Sequence, residues 1–144
     1  MKRVRMVLAV GCAALVLGGC GGLFGLFGGT KGLVTFASNP RYDDPAQEAC
    51  FAAVVQYHNL KGRATEVEYQ LLDGATEIAS GSAEAATFDE VSKSWETGEI
   101  RVSVPLAQHS GKIITVFLDP DAKLTSDQWL DPALDGRRKD VTIP

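Results

Sequence analysis

Apolar and polar residues alternate with a period of two over most of the chain beyond residue 32, and helical spacing hardly appears. The cleanest run is Glu66-Val-Glu-Tyr-Gln-Leu71, which puts Val67, Tyr69 and Leu71 on one face and Glu66, Glu68 and Gln70 on the other. Glu99-Ile-Arg-Val-Ser-Val104 repeats the pattern with Ile100, Val102 and Val104 inward, and Pro105 closes it. Leu33-Val-Thr-Phe-Ala37 predicts a short first strand ended by Asn39-Pro40. The apolar run from Cys50 to His58 predicts a central strand covered on both faces. Thr76 to Ser80 returns from a hairpin turn at Asp73-Gly74, Lys112 to Leu118 is a core strand, and Asp140 to Ile143 closes the chain. Tyr42-Asp-Asp-Pro45, Asn59 to Gly62, Ser110-Gly111 and Asp119-Pro-Asp121 carry turn chemistry. Glu84 to Glu96 reads as a loop with a helical turn. About seven short strands with one-sided patterns predict an all-β antiparallel sandwich.

The first thirty residues follow a different logic. Lys2, Arg3 and Arg5 precede an uncharged stretch from Met6 to Leu17. A positive start before a short apolar segment is the arrangement of a secretory signal. The segment is about a dozen residues, short of the ~20 a permanent membrane helix needs. It ends in Leu17-Gly18-Gly19-Cys20, which resembles the lipobox of bacterial lipoproteins. That resemblance implies cleavage between Gly19 and Cys20, with diacylglycerol and palmitate-type acyl chains carried by Cys20. Cys12 would leave with the signal peptide. Residues 20–32 hold a glycine every two or three positions, which predicts a flexible tether. Its Leu23, Phe24, Leu26 and Phe27 either dip into the headgroup layer or fold back on the domain. Position 21 is Gly and not Asp. By resemblance to lipoprotein sorting in Gram-negative envelopes, this implies the outer membrane facing the periplasm. The expected organisation is a signal peptide over 1–19, an acylated Cys and tether over 20–32, and a β-sandwich over 33–144.

Charge and cysteine use narrow the partners. Removing Lys2, Arg3 and Arg5 from 14 basic residues leaves 11 against 18 acidic ones, a net charge of −7 for the exported part. Such a surface repels nucleic acid and anionic lipid and leaves cationic partners open. With Cys20 acylated, Cys50 stands alone, so no internal disulfide holds the fold. Cys50 lies in an apolar run without Lys, Arg or His close in sequence, which predicts a buried, inert thiol.

Three segments, Val54-Val-Gln-Tyr-His-Asn59, Thr65 to Gly74 and Ile78-Ala-Ser-Gly81, resemble the first half of immunoglobulin-like adhesion modules of the CARDB and fibronectin type III kind. Ile113 to Asp121, followed by Val141-Thr-Ile143, is similar to their closing hairpin. Lys123-Leu-Thr-Ser-Asp-Gln-Trp129 and a longer insert replace the turn usual in that family. The resemblance implies an immunoglobulin-like sandwich with a binding or spacer role and no catalytic residues.

Candidate chemistry is sparse. His58 closes an apolar strand, and His109 lies in a Gln-His-Ser-Gly turn where exposure is expected. Neither has a ligand at metal spacing, so no metal and no cofactor are expected. No nucleophile elbow supports a Ser–His–acid site. Asp119, Asp121, Asp127, Asp131 and Asp135 crowd one segment, either as a Ca²⁺ loop or as turn and cap residues; the EF-hand spacing is absent. Gly136-Arg-Arg-Lys139 reads as a solvated basic loop. Trp95 and Trp129 sit in polar surroundings, as anchors for a protein partner or as lids on the sandwich. The expectation is a non-catalytic, lipid-anchored envelope module whose partner surface carries Trp95 and Trp129. The alternatives are an accessory subunit of an envelope machine, marked by an unpaired strand edge or apolar patch, and a ligand-binding, Ca-binding or hydrolytic domain with an end pocket.

Overall fold

A computed structural model describes residues 32–57, 65–125 and 136–144. The described residues form ten strands and one short helix: β1 (Gly32–Phe36), β2 (Arg41–Asp43), β3 (Glu48–Phe51), β4 (Ala53–Tyr57), β5 (Thr65–Asp73), β6 (Thr76–Asp89), β7 (Ser94–Thr97), β8 (Ile100–Ser103), α1 (Leu106–His109), β9 (Ile113–Leu118) and β10 (Arg138–Thr142). A seven-stranded sheet runs β1-β4-β7-β6-β5-β9-β10, and a three-stranded sheet runs β2-β3-β8. All pairings between these strands are antiparallel.

The expected alternation builds the core. Val67 and Leu71 of β5, Ile114, Val116 and Leu118 of β9, and Val141 of β10 are buried on one layer, facing Val34, Phe51 and Val55 from the other. Phe51 joins the layers edge-on, 6.4 Å from Phe36 and 5.3 Å from Tyr69. Each fully buried aliphatic side chain contributes roughly 1.5–3 kcal/mol by leaving water.

One layer is β1-β4-β7 continued by β2-β3-β8, and the other is β5-β9-β10 with the first half of β6. β6 belongs to both: Thr76 to Ala85 pair with β5, and its last residues pair with β7. With β6 shared in this way, the layers follow the partition of an immunoglobulin-like antiparallel sandwich.

Several local expectations are corrected. The run from Cys50 to His58 is broken at Ala52, because β3 pairs with β2 and β8 while β4 pairs with β1 and β7. Glu84 to Glu96 is a hairpin, since cross-strand partners on β5 and β7 override its weak local pattern. Arg138 and Lys139 open β10, and Arg137 is buried at 1 % exposure, so the basic run is no solvated loop. The Asp73-Gly74 turn is a two-residue hairpin in which Gly74 takes φ +63°.

Candidate functional site

The acidic segment after β9 is organised by Asp119. It is buried and sits at φ +46°, a left-handed conformation that Asp tolerates better than most residues. Its carboxylate accepts from the Leu124 N–H (3.2 Å), the Thr125 N–H (3.0 Å) and the Thr125 hydroxyl (2.8 Å). Arg137 donates to its main-chain oxygen at 2.6 Å and lies across the Phe117 ring, 5.6 Å from the centroid. Asp119 therefore closes a turn and holds the chain where Gly32 bonds Leu124. Asp121 pairs with Lys123 at 2.9 Å. Among the described residues no group of three metal-ligating side chains comes together. Asp127, Asp131 and Asp135 lie outside the described residues, as do His58, Trp129, Cys20, Gly19 and the tether up to Lys31, while Gly32 opens β1.

His109 is buried at 8 % exposure, not exposed as its turn-like sequence suggests. The preceding Leu106-Ala-Gln-His segment forms α1, which turns the imidazole inward. Its Nδ1 is 3.6 Å from Asp73 Oδ2, too long for a hydrogen bond. Lys112 holds the same carboxylate oxygen at 2.5 Å. That bond, opposed by partial burial, keeps the Asp73 carboxyl below its ordinary value. The arrangement clasps α1 to the β5–β6 turn.

Trp95 lies opposite Val55 in the β4–β7 pairing, so its indole shares the inner face of a fully buried valine. It is partly buried against the core and packs on Phe88, with ring centroids 5.0 Å apart. Its Nε1 is buried with no hydrogen-bond partner among the described residues. Trp95 thus covers the end of the sandwich at which β1 starts. The β6–β7 hairpin tip occupies the same end and exposes Val91 at 93 %.

Cys50 is buried between two arginines that sequence proximity does not reveal. β2 and β8 place Arg41 and Arg101 directly opposite it. Arg41 bonds Glu99 at 2.5 Å, and Arg101 bridges Asp43 (3.0 Å), Glu48 (3.2 Å) and Glu99 (2.9 Å). Burial pushes the thiol pKa up, outweighing the opposite pull of Arg41 and Arg101.

Strand edges divide into guarded and bare ones. On β10, Lys139 passes over the Phe36 ring (5.7 Å) and donates to Asn39 Oδ1 at 2.7 Å, an inward-turned charge that blunts the edge. β1 is capped where the Gly32 N–H donates to the Leu124 carbonyl at 2.6 Å. The first half of β6 reads Thr76-Glu-Ile-Ala-Ser-Gly-Ser-Ala-Glu84, without Lys, Arg or Pro, and among the described residues it pairs on one side only. Beside it is a shallow cleft of about 400 Å³ lined by Glu66, Glu68, Gln70, Ser80, Ser82 and Pro120. Glu66 stands directly opposite Glu84. Sequence reasoning missed this pair, because its register depends on a bulge between Leu71 and Leu72. In comparisons with known proteins, no family model, curated protein or solved structure matches the chain.

Proposed function

We propose that the chain is a lipid-anchored envelope protein, cut before Cys20 and held at a membrane by acyl groups on that sulfur. Its sandwich acts as a non-catalytic module that binds or spaces other envelope proteins. The observation that carries this reading is the junction between signal and fold. The charged start, short apolar stretch and Leu17-Gly18-Gly19-Cys20 precede the first residue of β1, Gly32, by twelve positions. A segment of that length reaches about 40 Å at most, which keeps the sandwich beside the bilayer. Two acyl chains on one cysteine suffice for stable anchoring, at about 0.8 kcal/mol per buried CH₂. No helix among the described residues is long and apolar enough to cross a membrane.

In a Gram-negative host, Gly21 favours the outer membrane, with the sandwich in the periplasm. The end carrying Gly32, Trp95 and Val91 then faces the lipid surface. Trp95 and, outside the described residues, Trp129 are the aromatic candidates for a partner contact. A role as an accessory subunit of a larger envelope assembly is the second reading, favoured by the bare edge of β6. Radiolabelled palmitate tests the anchor. It enters the wild-type chain and not Cys20→Ala, whereas equal labelling of both refutes the proposal.

A further inference from the structure

β6 loses a neighbour halfway along its length. β7 pairs with Ala85 to Asp89, then the chain passes Gly98 into β8, which joins β3 in the other sheet. The direction of the vacated main-chain groups follows from β5. The Asp119 N–H donates to the Glu68 carbonyl at 2.8 Å, so Glu68 and Gln70 turn toward β9. Val67, Tyr69 and Leu71 then bond β6 through Ala83, Gly81 and Ala79. The N–H and C=O groups of Ser80 and Ser82 therefore point off the sheet, while those of Glu84 turn to the side where the Ala85–Thr97 pairing with β7 begins. Ser80 and Ser82 are exposed, and no described strand pairs with them on that side. Gly81 leaves room for the Tyr69 ring, because a Cβ there would meet its hydroxyl at 2.5 Å.

The charge beside this edge is one-sided. Ser82 donates to Glu66 and Ser80 to Glu77, while Glu66 and Glu84 face each other with no ion pair among the described residues. Like charges directly opposite on neighbouring strands destabilise a sheet. Lys123 on Glu68, at 2.6 Å, is the nearest neutralising contact in this row.

We infer that the Ser80–Glu84 edge of β6 is a docking strand for an extended, cationic segment of a partner protein, added to the sheet by main-chain pairing. Strand addition satisfies the outward groups of Ser80 and Ser82 at alternate positions, and the cleft beside them reads the side chains. Lys or Arg on the added strand offsets the Glu66–Glu84 repulsion and meets Glu77. A second copy of this chain is the poorer occupant, because it brings its own Glu66 and Glu84 to the seam. The inference rests on the protein-binding part of the proposed function and is independent of the lipid. It is read on purified chain, so loss of the Cys20 anchor would leave its outcome unchanged.

The test uses the full chain in nonionic detergent and a fluorescein-labelled, end-blocked peptide alternating Lys and Val. Anisotropy should show saturable binding that weakens with salt, while the matching Glu–Val peptide does not bind. Ser82→Pro removes an outward N–H without breaking the β5 ladder and should weaken binding about tenfold or more. Glu66→Gln with Glu84→Gln should weaken it and flatten its salt dependence. A Lys–Val peptide N-methylated on its pairing edge should fail to bind the wild-type chain, which decides the matter even if Ser82→Pro does not fold. Undiminished binding by Ser82→Pro or by the N-methylated peptide would reduce the effect to general charge attraction and overturn the inference. Equal binding of the acidic peptide, or self-association of the wild type that Ser82→Pro abolishes, would overturn it as well.

Discussion

Arg137 donates through Nη1 to the main-chain oxygen of Asp119 at 2.6 Å, and each side chain is only 2 % exposed. Their charged atoms stay 4.0 Å apart, so the guanidinium serves the loop backbone more than the carboxylate. Removing it takes the Arg137 donor from the buried Asp119 carbonyl and a cation from 4.0 Å of the buried carboxylate. Arg137→Leu should cost about 3 kcal/mol in urea unfolding, and Asp119→Ala a similar amount through three lost hydrogen bonds. A cost under about 0.5 kcal/mol for both would show that the loop is held by other means.

Trp95 packs on Phe88 and shares a face with Val55. Trp95→Ala should therefore lower stability by about 2–3 kcal/mol, less than for a fully buried aromatic. In a Trp129→Phe background, its emission should lie to the blue of the unfolded chain. Wild-type stability in Trp95→Ala would mean the indole does not cover the sandwich end.

Cys50 should be silent to Ellman's reagent in the native protein and react fully in denaturant, because burial raises the thiol pKa and blocks access. Rapid native labelling would contradict the shielding by Arg41 and Arg101.

Acid should weaken the fold through its paired carboxylates. Asp73 is held below its ordinary pKa by the Lys112 hydrogen bond, and Glu99 by the Arg41 hydrogen bond. In the acid range the unfolded chain then binds more protons than the folded one. Their contribution is present above the unfolded values near pH ~4 and is lost as pH falls through the lower folded values. Thermal melts should show a falling midpoint below pH ~4, with a shallower fall in Asp73→Asn. An identical acid slope in both proteins would remove Asp73 from the account.

Period-two patterning made the strand content legible, because each sheet has one buried face: Val67 and Leu71 or Ile114, Val116 and Leu118 need no tertiary knowledge to be assigned inward. Sheet membership was not legible. Nothing local to Ala52 announces that β3 and β4 part there, and β6 runs on past Ser80 because β5 and β7 pair with it. Register failed for a similar reason. A plain hairpin at Gly74-Ala75 would set Glu66 against Ala83, and one extra residue at Ile78 sets it against Glu84. His109 and Arg137 looked solvated because polar residues in a turn usually are. The short helix α1 turns His109 inward, and the main-chain oxygen of Asp119, distant in sequence, holds Arg137.

The central claim is a β-sandwich tethered by lipid on one sulfur, and the mature N-terminus tests it most directly. Mass spectrometry of the N-terminal peptide from membrane-purified protein should show a chain starting at Cys20 and carrying diacylglycerol. An unmodified N-terminus on protein recovered free of the membrane would contradict it.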